Sequence, residues 1–246
     1  MLTLVVITRD EADRIARCLS SVSWATERIV VDSGSTDETV QIARAAGARV
    51  VQTGWPGHVA QKNIALGLAT QPWVLSLDAD EALSAAASEE LLRALRDPHG
   101  ADGFSFPRCS SWLGKPIRHG RWYPDRKLRV VRRGTGTWVG DDPHDQLTVQ
   151  GRVTRLTGDI LHDPYRDFRE HLRTIDRYTR IHAEAMARRG QRAHWWDVAL
   201  RPPLHFVNAY LLKRGFLDGP SGAALAGLGA THVALKWSRL YFRRES

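Results

Sequence analysis

The chain opens on an apolar run, Leu2-Thr3-Leu4-Val5-Val6-Ile7, and turns acidic at Asp10-Glu11-Ala12-Asp13. A run of that length bounded by charge reads as a buried strand, and acids suit the helix N-terminus that follows. Ile15, Cys18, Leu19 and Val22 recur at helical spacing, which predicts an amphipathic helix over residues 11–23. The alternation then repeats. Arg28–Val31 is the second strand, and Ser35 with Glu38 three residues on predicts a capping box for a helix that Gly47 stops. Ala48–Gln52, His58–Ala69, Trp73–Leu77 and Ser84–Arg96 continue as strand, helix, strand and helix. This order predicts an α/β fold, a doubly wound, mainly parallel sheet flanked by helices.

From residue 100 the texture changes. Gly103–Arg108, Lys127–Arg132 and Gln146–Leu156 are expected strands that make the sheet mixed, between loops rich in Trp and Arg. Phe168, Leu172, Ile175, Tyr178 and Ile181 predict a helix over 165–189. Pro202-Pro203 is expected to break the next stretch, and Gly215 to Gly222 to break it again. Ser221–Trp237 is largely apolar but short for a membrane span. With Lys213, Arg214, Lys236, Arg239, Arg243 and Arg244 nearby, it is either an interfacial helix or an ordinary helix packed on the domain. The expected division is a catalytic domain over 1–163 and a basic C-terminal helical extension over 164–246.

At 246 residues and 43% apolar content the chain can bury a sizeable core. Two cysteines, Cys18 and Cys109, make neither a disulfide framework nor a zinc site and fit a reducing cytoplasm. Met1 runs straight into the first strand without the basic stretch of a signal peptide. The net charge of +8 is unevenly placed: residues 1–150 hold 18 Lys and Arg against 18 Asp and Glu, whereas 151–246 hold 17 against 9. A neutral front with a basic back suggests an anionic partner for the C-terminal part, a membrane surface or a glycolipid. Nucleic acid is not expected, because the 30 arginines are interleaved with acids and form no stripe.

The candidate chemistry lies where three strand ends converge: Thr8-Arg9-Asp10-Glu11, Asp32-Ser33-Gly34-Ser35-Thr36-Asp37 and Asp78-Ala79-Asp80. Open α/β sheets bind ligands outside the carboxyl ends of their strands. Asp78 and Asp80 would face the same way on a continuing strand, offering hard oxygens to Mg²⁺ or Mn²⁺ and, through it, to a diphosphate. Asp32 can accept from base or ribose donors, and Gly34 lets the chain turn there. Lys62 either reaches a phosphate or is a solvated helix lysine, and His162 is either a late metal or diphosphate ligand or structural. Trp112, Trp122, Tyr123 and Trp138 offer flat rings to a sugar face or pack in the core. No glycine-rich loop opens a helix, which argues against a dinucleotide oxidoreductase.

Val31-Asp32-Ser33-Gly34-Ser35-Thr36-Asp37, Gln61-Lys62-Asn63 and Leu77-Asp78-Ala79-Asp80-Glu81, in that order, resemble the inverting family 2 glycosyltransferases of the GT-A fold. Gly54-Trp55-Pro56-Gly57, the stretch Arg118–Asp125 and the stretch Leu211–Gly219 are similar to the bacterial lipopolysaccharide core β-glucosyltransferase branch. The resemblance implies a metal-dependent hexosyltransferase that moves a hexose, glucose in that branch, from a UDP-sugar to a lipid-linked saccharide such as the lipopolysaccharide inner core. It implies a peripheral place on the cytoplasmic face of the inner membrane, whose anionic surface the basic tail would meet. Asp32 would hold the nucleoside, Thr8 and Glu11 line the base pocket, Asp80 hold the metal and Asp78 lie nearer the ribose. Direct displacement needs one general base, and the matching position is Asp145, with Asp142 and Asp125 behind it. Relatives more often carry His-Glu where this chain has His144-Asp145, and Asp141-Asp142 before Pro143 also reads as a plain turn. A nucleotidyltransferase acting on a sugar phosphate shares the sheet and the metal carboxylates. It would want a Gly- and Lys-rich loop after the first strand, where this chain is acidic.

Overall fold

Leu2–Thr8 (β1) is buried along its whole length, and the first part of the molecule is laid out from it. The structure is a computed structural model that describes residues 1–140 and 145–243. It divides into two compact units: Met1–Arg108 with Asp125–His162, and Cys109–Pro124 with the chain from Asp163 on.

After β1 the chain forms α1 (Ile15–Ser20), β2 (Glu27–Asp32), α2 (Thr39–Ala45), β3 (Arg49–Gln52), α3 (His58–Gly67) and β4 (Trp73–Asp78). Then come β5 (Glu81–Leu83), α4 (Ala85–Arg96), β6 (Gly103–Trp112), β7 (Lys115–Pro116), β8 (Asp125–Arg132), β9 (Gly136–Val139), β10 (Gln146–Val149), β11 (Val153–Arg155) and β12 (Ile160–His162). The main sheet runs β3-β2-β1-β4-β8-β6-β12-β5, with β11 beside β6; β9 and β10 form a separate hairpin. Strands β1 to β4 are parallel neighbours, and β8 joins antiparallel, so the sheet is mixed.

Leu4 and Val6 enter the core on one face with Leu75, Leu77 and Phe104, while Val5 and Ile7 enter the other with Ile29, Val31 and Val74. Burial on both faces explains why β1 is an unbroken apolar run and not an alternating one. Each such side chain contributes about 1.5–3 kcal/mol. The parallel register sets Thr8 opposite Asp32 and Ile7 opposite Asp78, so the three expected strand ends do meet at one edge.

Local differences have local causes. Helix α1 is shorter than 11–23 because Asp10 sits at φ +54° and residues 11–14 form a turn, with Arg14 and Ile15 N–H donating to the Glu11 carbonyl. The capping box of α2 does not form: the Ser35 hydroxyl accepts the Asp10 N–H at 2.9 Å and donates to Asp32, and α2 starts only at Thr39. Gly34, at φ +85°, makes the turn its position demands. Gln146–Leu156 divides into β10 and β11 at Gly151, whose φ of +120° no strand residue adopts.

In the second unit Phe168–Arg188 (α5), Trp195–Val207 (α6) and Gly219–Tyr241 (α7) are the helices. A π-helical turn, Asn208–Leu212, extends α6, and a short 3₁₀ segment, Gly215–Asp218, precedes α7. Pro202 and Pro203 lie inside α6 and do not break it. A helix-interior proline costs about 3 kcal/mol, which close packing on α7 offsets. That packing is why Ser221–Trp237 is so rich in Gly and Ala. A methyl added at Gly229 would come within 2.6 Å of the His205 ring, and one at Gly222 within 1.8 Å of the Gly215 carbonyl. Helix α7 is therefore a packed helix, and no helix among the described residues is long and apolar enough to cross a membrane.

Candidate active site

The loops after β1 and β2 are stitched to each other. The Asp10 carboxylate accepts the Thr36 N–H at 2.7 Å and its hydroxyl at 3.1 Å, Asp37 accepts the Ala12 N–H at 3.1 Å, and the Glu11 N–H donates to Thr39 Oγ1 at 2.8 Å. The Thr36 N–H lowers the Asp10 pKa from its ordinary value. Asp32 is fully buried, accepting N–H groups of Gly34 and Ser35 at 3.0 Å, so in this structure it shapes the loop. Thr8 Oγ1, beside it in register, is buried with no hydrogen-bond partner among the described residues. The Glu11 carboxylate lies 3.3 Å from Arg14.

Gln61-Lys62-Asn63 shows why those three types stand together on α3. Gln61 donates to Ser33 at 2.8 Å and Thr53 at 3.0 Å, tying α3 to the ends of β2 and β3. Asn63 clasps the backbone of Trp138, donating to its carbonyl and accepting its N–H, each at 2.9 Å. Between them Lys62 points inward. Its Nζ lies 2.8 Å from Asp78 Oδ1, 2.7 Å from Asp145 Oδ2 and 4.3 Å from the Trp138 ring centre. Lys62 is therefore neither a solvated lysine nor a free phosphate contact; its charge is committed to two carboxylates.

Behind it lies a buried ion network. Arg129 forks onto Glu81 at 2.7 and 3.1 Å and reaches Asp78 at 3.2 Å, its guanidinium lying 5.3 Å from the Trp138 ring centre. Arg108 bridges Glu81 at 3.2 Å and Asp125 at 2.6 Å, and Lys127 also meets Asp125 at 3.1 Å. Burial pushes the Asp78 carboxyl up, but Lys62 and Arg129 outweigh it and hold the pKa well below the carboxylate range. Glu81 is likewise depressed, Arg129 overcoming its burial, and Lys62 is raised, Asp78 overcoming its own. Buried charges persist only when paired in this way.

Asp78 and Asp80 do not share a continuing strand. β4 ends at Asp78, Ala79-Asp80 turn, and β5 begins at Glu81. The turn separates their roles: Asp78 goes into the ion network, and Asp80 Oδ2 meets His162 Nε2 at 3.4 Å. The antiparallel pairing of β12 with β5, which sets His162 opposite Glu81, brings this about. Cis ligands held at about 2.1 Å from an octahedral ion stand roughly 3 Å apart, so the pair fits Mg²⁺ or Mn²⁺. Among the described residues no group of three or more His, Cys, Asp or Glu could hold a metal.

Trp112 and Trp138 are buried and serve packing. Trp122 and Tyr123 belong to the second unit, half-buried: Trp122 lies 6.2 Å from the Tyr165 ring and 5.9 Å from His171, and Tyr123 under Arg118. Asp142 lies outside the described residues. The sequence reading missed Arg108, Arg129 and the pairing role of Glu81. The signal was Arg129 itself, a charge inside the otherwise apolar Leu128–Val131.

Residues 3–147 match the family model described as glycosyl transferase family 2. The lipopolysaccharide core biosynthesis glycosyltransferase LpsC of Rhizobium meliloti (strain 1021) is 28% identical over 98% of this chain and 92% of its own. An uncharacterized glycosyltransferase of Rickettsia prowazekii (strain Madrid E) is 27% identical over 88% and 78%. Among solved structures, the mannosyltransferase PcManGT of Pyrobaculum calidifontis, in complex with GDP-Man and Mn²⁺, aligns over 99% of this chain and 88% of its own. Its TM-score is 0.57 at 18% identity. S. aureus TarS 1–349 with UDP-GlcNAc aligns over 99% and 93%, with TM-score 0.51 at 14% identity. Both share the GT-A fold with this chain.

Proposed function

This chain belongs to glycosyl transferase family 2, and from that premise we propose that it moves a hexose, glucose in the first instance, from a UDP-sugar to a hydroxyl of a lipid-linked saccharide. The acceptor class follows the likeness to LpsC, and the setting is the cytoplasmic face of the inner membrane. The observation that carries the reading is the 3.4 Å approach of Asp80 Oδ2 to His162 Nε2 at the strand edge that also holds Thr8 and Asp32.

Asp80 and His162 would hold the divalent cation, Mg²⁺ or Mn²⁺. When bound, it supplies Lewis-acid stabilisation of a leaving diphosphate. The Thr8 hydroxyl, without a hydrogen-bond partner among the described residues, would face the nucleoside together with the stitched loop of Asp10, Glu11 and Asp32. Asp145 takes the acceptor proton as its oxygen attacks the anomeric carbon and the bond to the diphosphate breaks on the opposite face, inverting the centre. Lys62 positions Asp145, its Nζ lying 2.7 Å from the carboxylate. Asp78, Arg129, Glu81, Arg108 and Asp125 form the rigid base of that arrangement.

Isothermal titration with UDP, with and without Mn²⁺, on the chain and on Asp80→Ala tests this. Metal-dependent binding lost in the variant is expected, followed by β-linked product from UDP-glucose and a truncated core acceptor. Absence of UDP binding with either metal would overturn the reading.

A further inference from the structure

Helix α6 carries an apolar stripe that faces out. Trp196, Leu200, Leu204, Val207 and Leu211 recur at three- to four-residue spacing and are all exposed. The stripe is capped at one end by Trp195, 62% exposed, and extended at the other by Leu212, 71% exposed. Asp197 is buried and caps the N-terminus, and the exposed Arg201 pairs with it at 2.5 Å while lying 4.2 Å from the Trp237 ring. Leaving a continuous apolar ridge in water is costly unless something else covers it.

The charges around the ridge say what covers it. From Val198 to Leu217 there is no Asp or Glu at all. Lys213 and Arg214 stand exposed at the end of the stripe and have no carboxylate partner among the described residues. The neighbouring Asp218 is turned inward, accepting backbone N–H groups of Arg118 at 3.2 Å and His119 at 2.9 Å and meeting the His119 ring at 2.9 Å. Gly120 donates to the Lys213 carbonyl at 2.9 Å, and Arg121 to Asn208 at 3.0 Å. The segment 118–121 thus clasps 208–218 from within the second unit, holding Leu211, Leu212, Lys213 and Arg214 in one outward arrangement.

We propose that residues 195–217 form a membrane-docking surface that lies in the interface of an anionic phospholipid bilayer. The apolar ridge enters the boundary between headgroups and acyl chains, Trp195 and Trp196 settle at headgroup depth, and Lys213 and Arg214 meet lipid phosphates. Helix α7, apolar as it is, stays beneath as the packed support. The surface serves the proposed reaction by bringing the chain to a lipid-linked acceptor, but its evidence rests on no step of sugar transfer.

The test is co-sedimentation of the full chain with vesicles of phosphatidylethanolamine and phosphatidylglycerol, and separately of phosphatidylcholine alone. Binding is expected to the anionic vesicles, to weaken about 5-fold for each of Lys213→Ala and Arg214→Ala, and to vanish in Leu204→Glu/Leu212→Glu. Both leucines are exposed, so the double variant should keep the circular dichroism spectrum and Tm of the parent, which separates lost docking from lost folding. Wild-type protein that binds neither vesicle, or binding that the double variant retains, overturns the proposal. A concentration-dependent dimer in light scattering that the double variant abolishes, without vesicle binding, assigns the ridge to a second copy of the chain instead. UDP titration of the double variant should match the parent; loss of docking with intact UDP binding keeps the failure of one reading distinct from failure of the other.

Discussion

Lys62 Nζ stands 2.7 Å from Asp145 Oδ2 and 2.8 Å from Asp78 Oδ1, so one buried ammonium on α3 joins the end of β4 to the residue just before β10. Lys62 therefore controls both the rigidity of the site and the placement of the proposed base.

Lys62→Met should leave two largely buried carboxylates short of their cation. Breaking such a pair costs about 3–5 kcal/mol, and about 2–4 °C of Tm accompanies each kcal/mol at this chain length. A loss of roughly 6–20 °C at pH 7 is expected by calorimetry. The Asp78 pKa is depressed in the folded state, so the stability it contributes is present above the ordinary carboxylate pKa and is lost as pH falls below about 4. The difference between parent and variant should accordingly shrink below that pH.

Asp145→Asn removes a base but not the donor site. A drop of about 10²–10⁴-fold in kcat is expected, with UDP affinity within a few-fold of the parent by titration. Asp145→Glu, which keeps a carboxylate at this position, should recover part of the loss.

Asp80→Asn and His162→Ala should each weaken Mn²⁺-dependent UDP binding. Losing metal stabilisation of the leaving group, worth several kcal/mol, would lower turnover by about 10³-fold. A His162→Ala enzyme with unchanged Mn²⁺ titration and unchanged turnover would remove His162 from the metal site.

The second unit carries its own pH dependence. Burial lowers His171 and His232 to about 4, and Trp112 Nε1 donates to His171 Nδ1 at 3.1 Å, as a neutral ring requires. Their unfolded pKa is about 6.5, so the unfolded chain binds more protons between about pH 6.5 and 4 and stability falls through that window as pH drops. Tm measured at pH 7.5, 5.5 and 4.5 should decline, and His232→Leu should flatten the decline. An unchanged slope in that variant would mean His232 is not one of the groups responsible.

Much of the first unit was determined by the sequence alone. A fully apolar β1, tight strand–helix alternation and acids at three strand ends leave few folds, because a strand buried on both faces must sit inside a parallel sheet. That is why Thr8, Asp32 and Asp78 fall in register as expected. The assignment of Asp80 to the metal came from family resemblance; that His162 lies beside it did not follow from the sequence, because β12, three residues long, was too short for any periodicity to reveal. Tertiary structure decided which partner each charge finds. Lys62 faces Asp145, 83 residues away, and Arg129 faces Glu81, 48 away, because antiparallel β8 and the α3 packing bring them together, not because of local spacing. It likewise decided which apolar segment lies open to solvent. The Gly- and Ala-rich α7 and the Leu- and Trp-rich α6 are both apolar in sequence. Small residues allow close helix packing and large ones resist it, so α7 went inside and the α6 ridge stayed out.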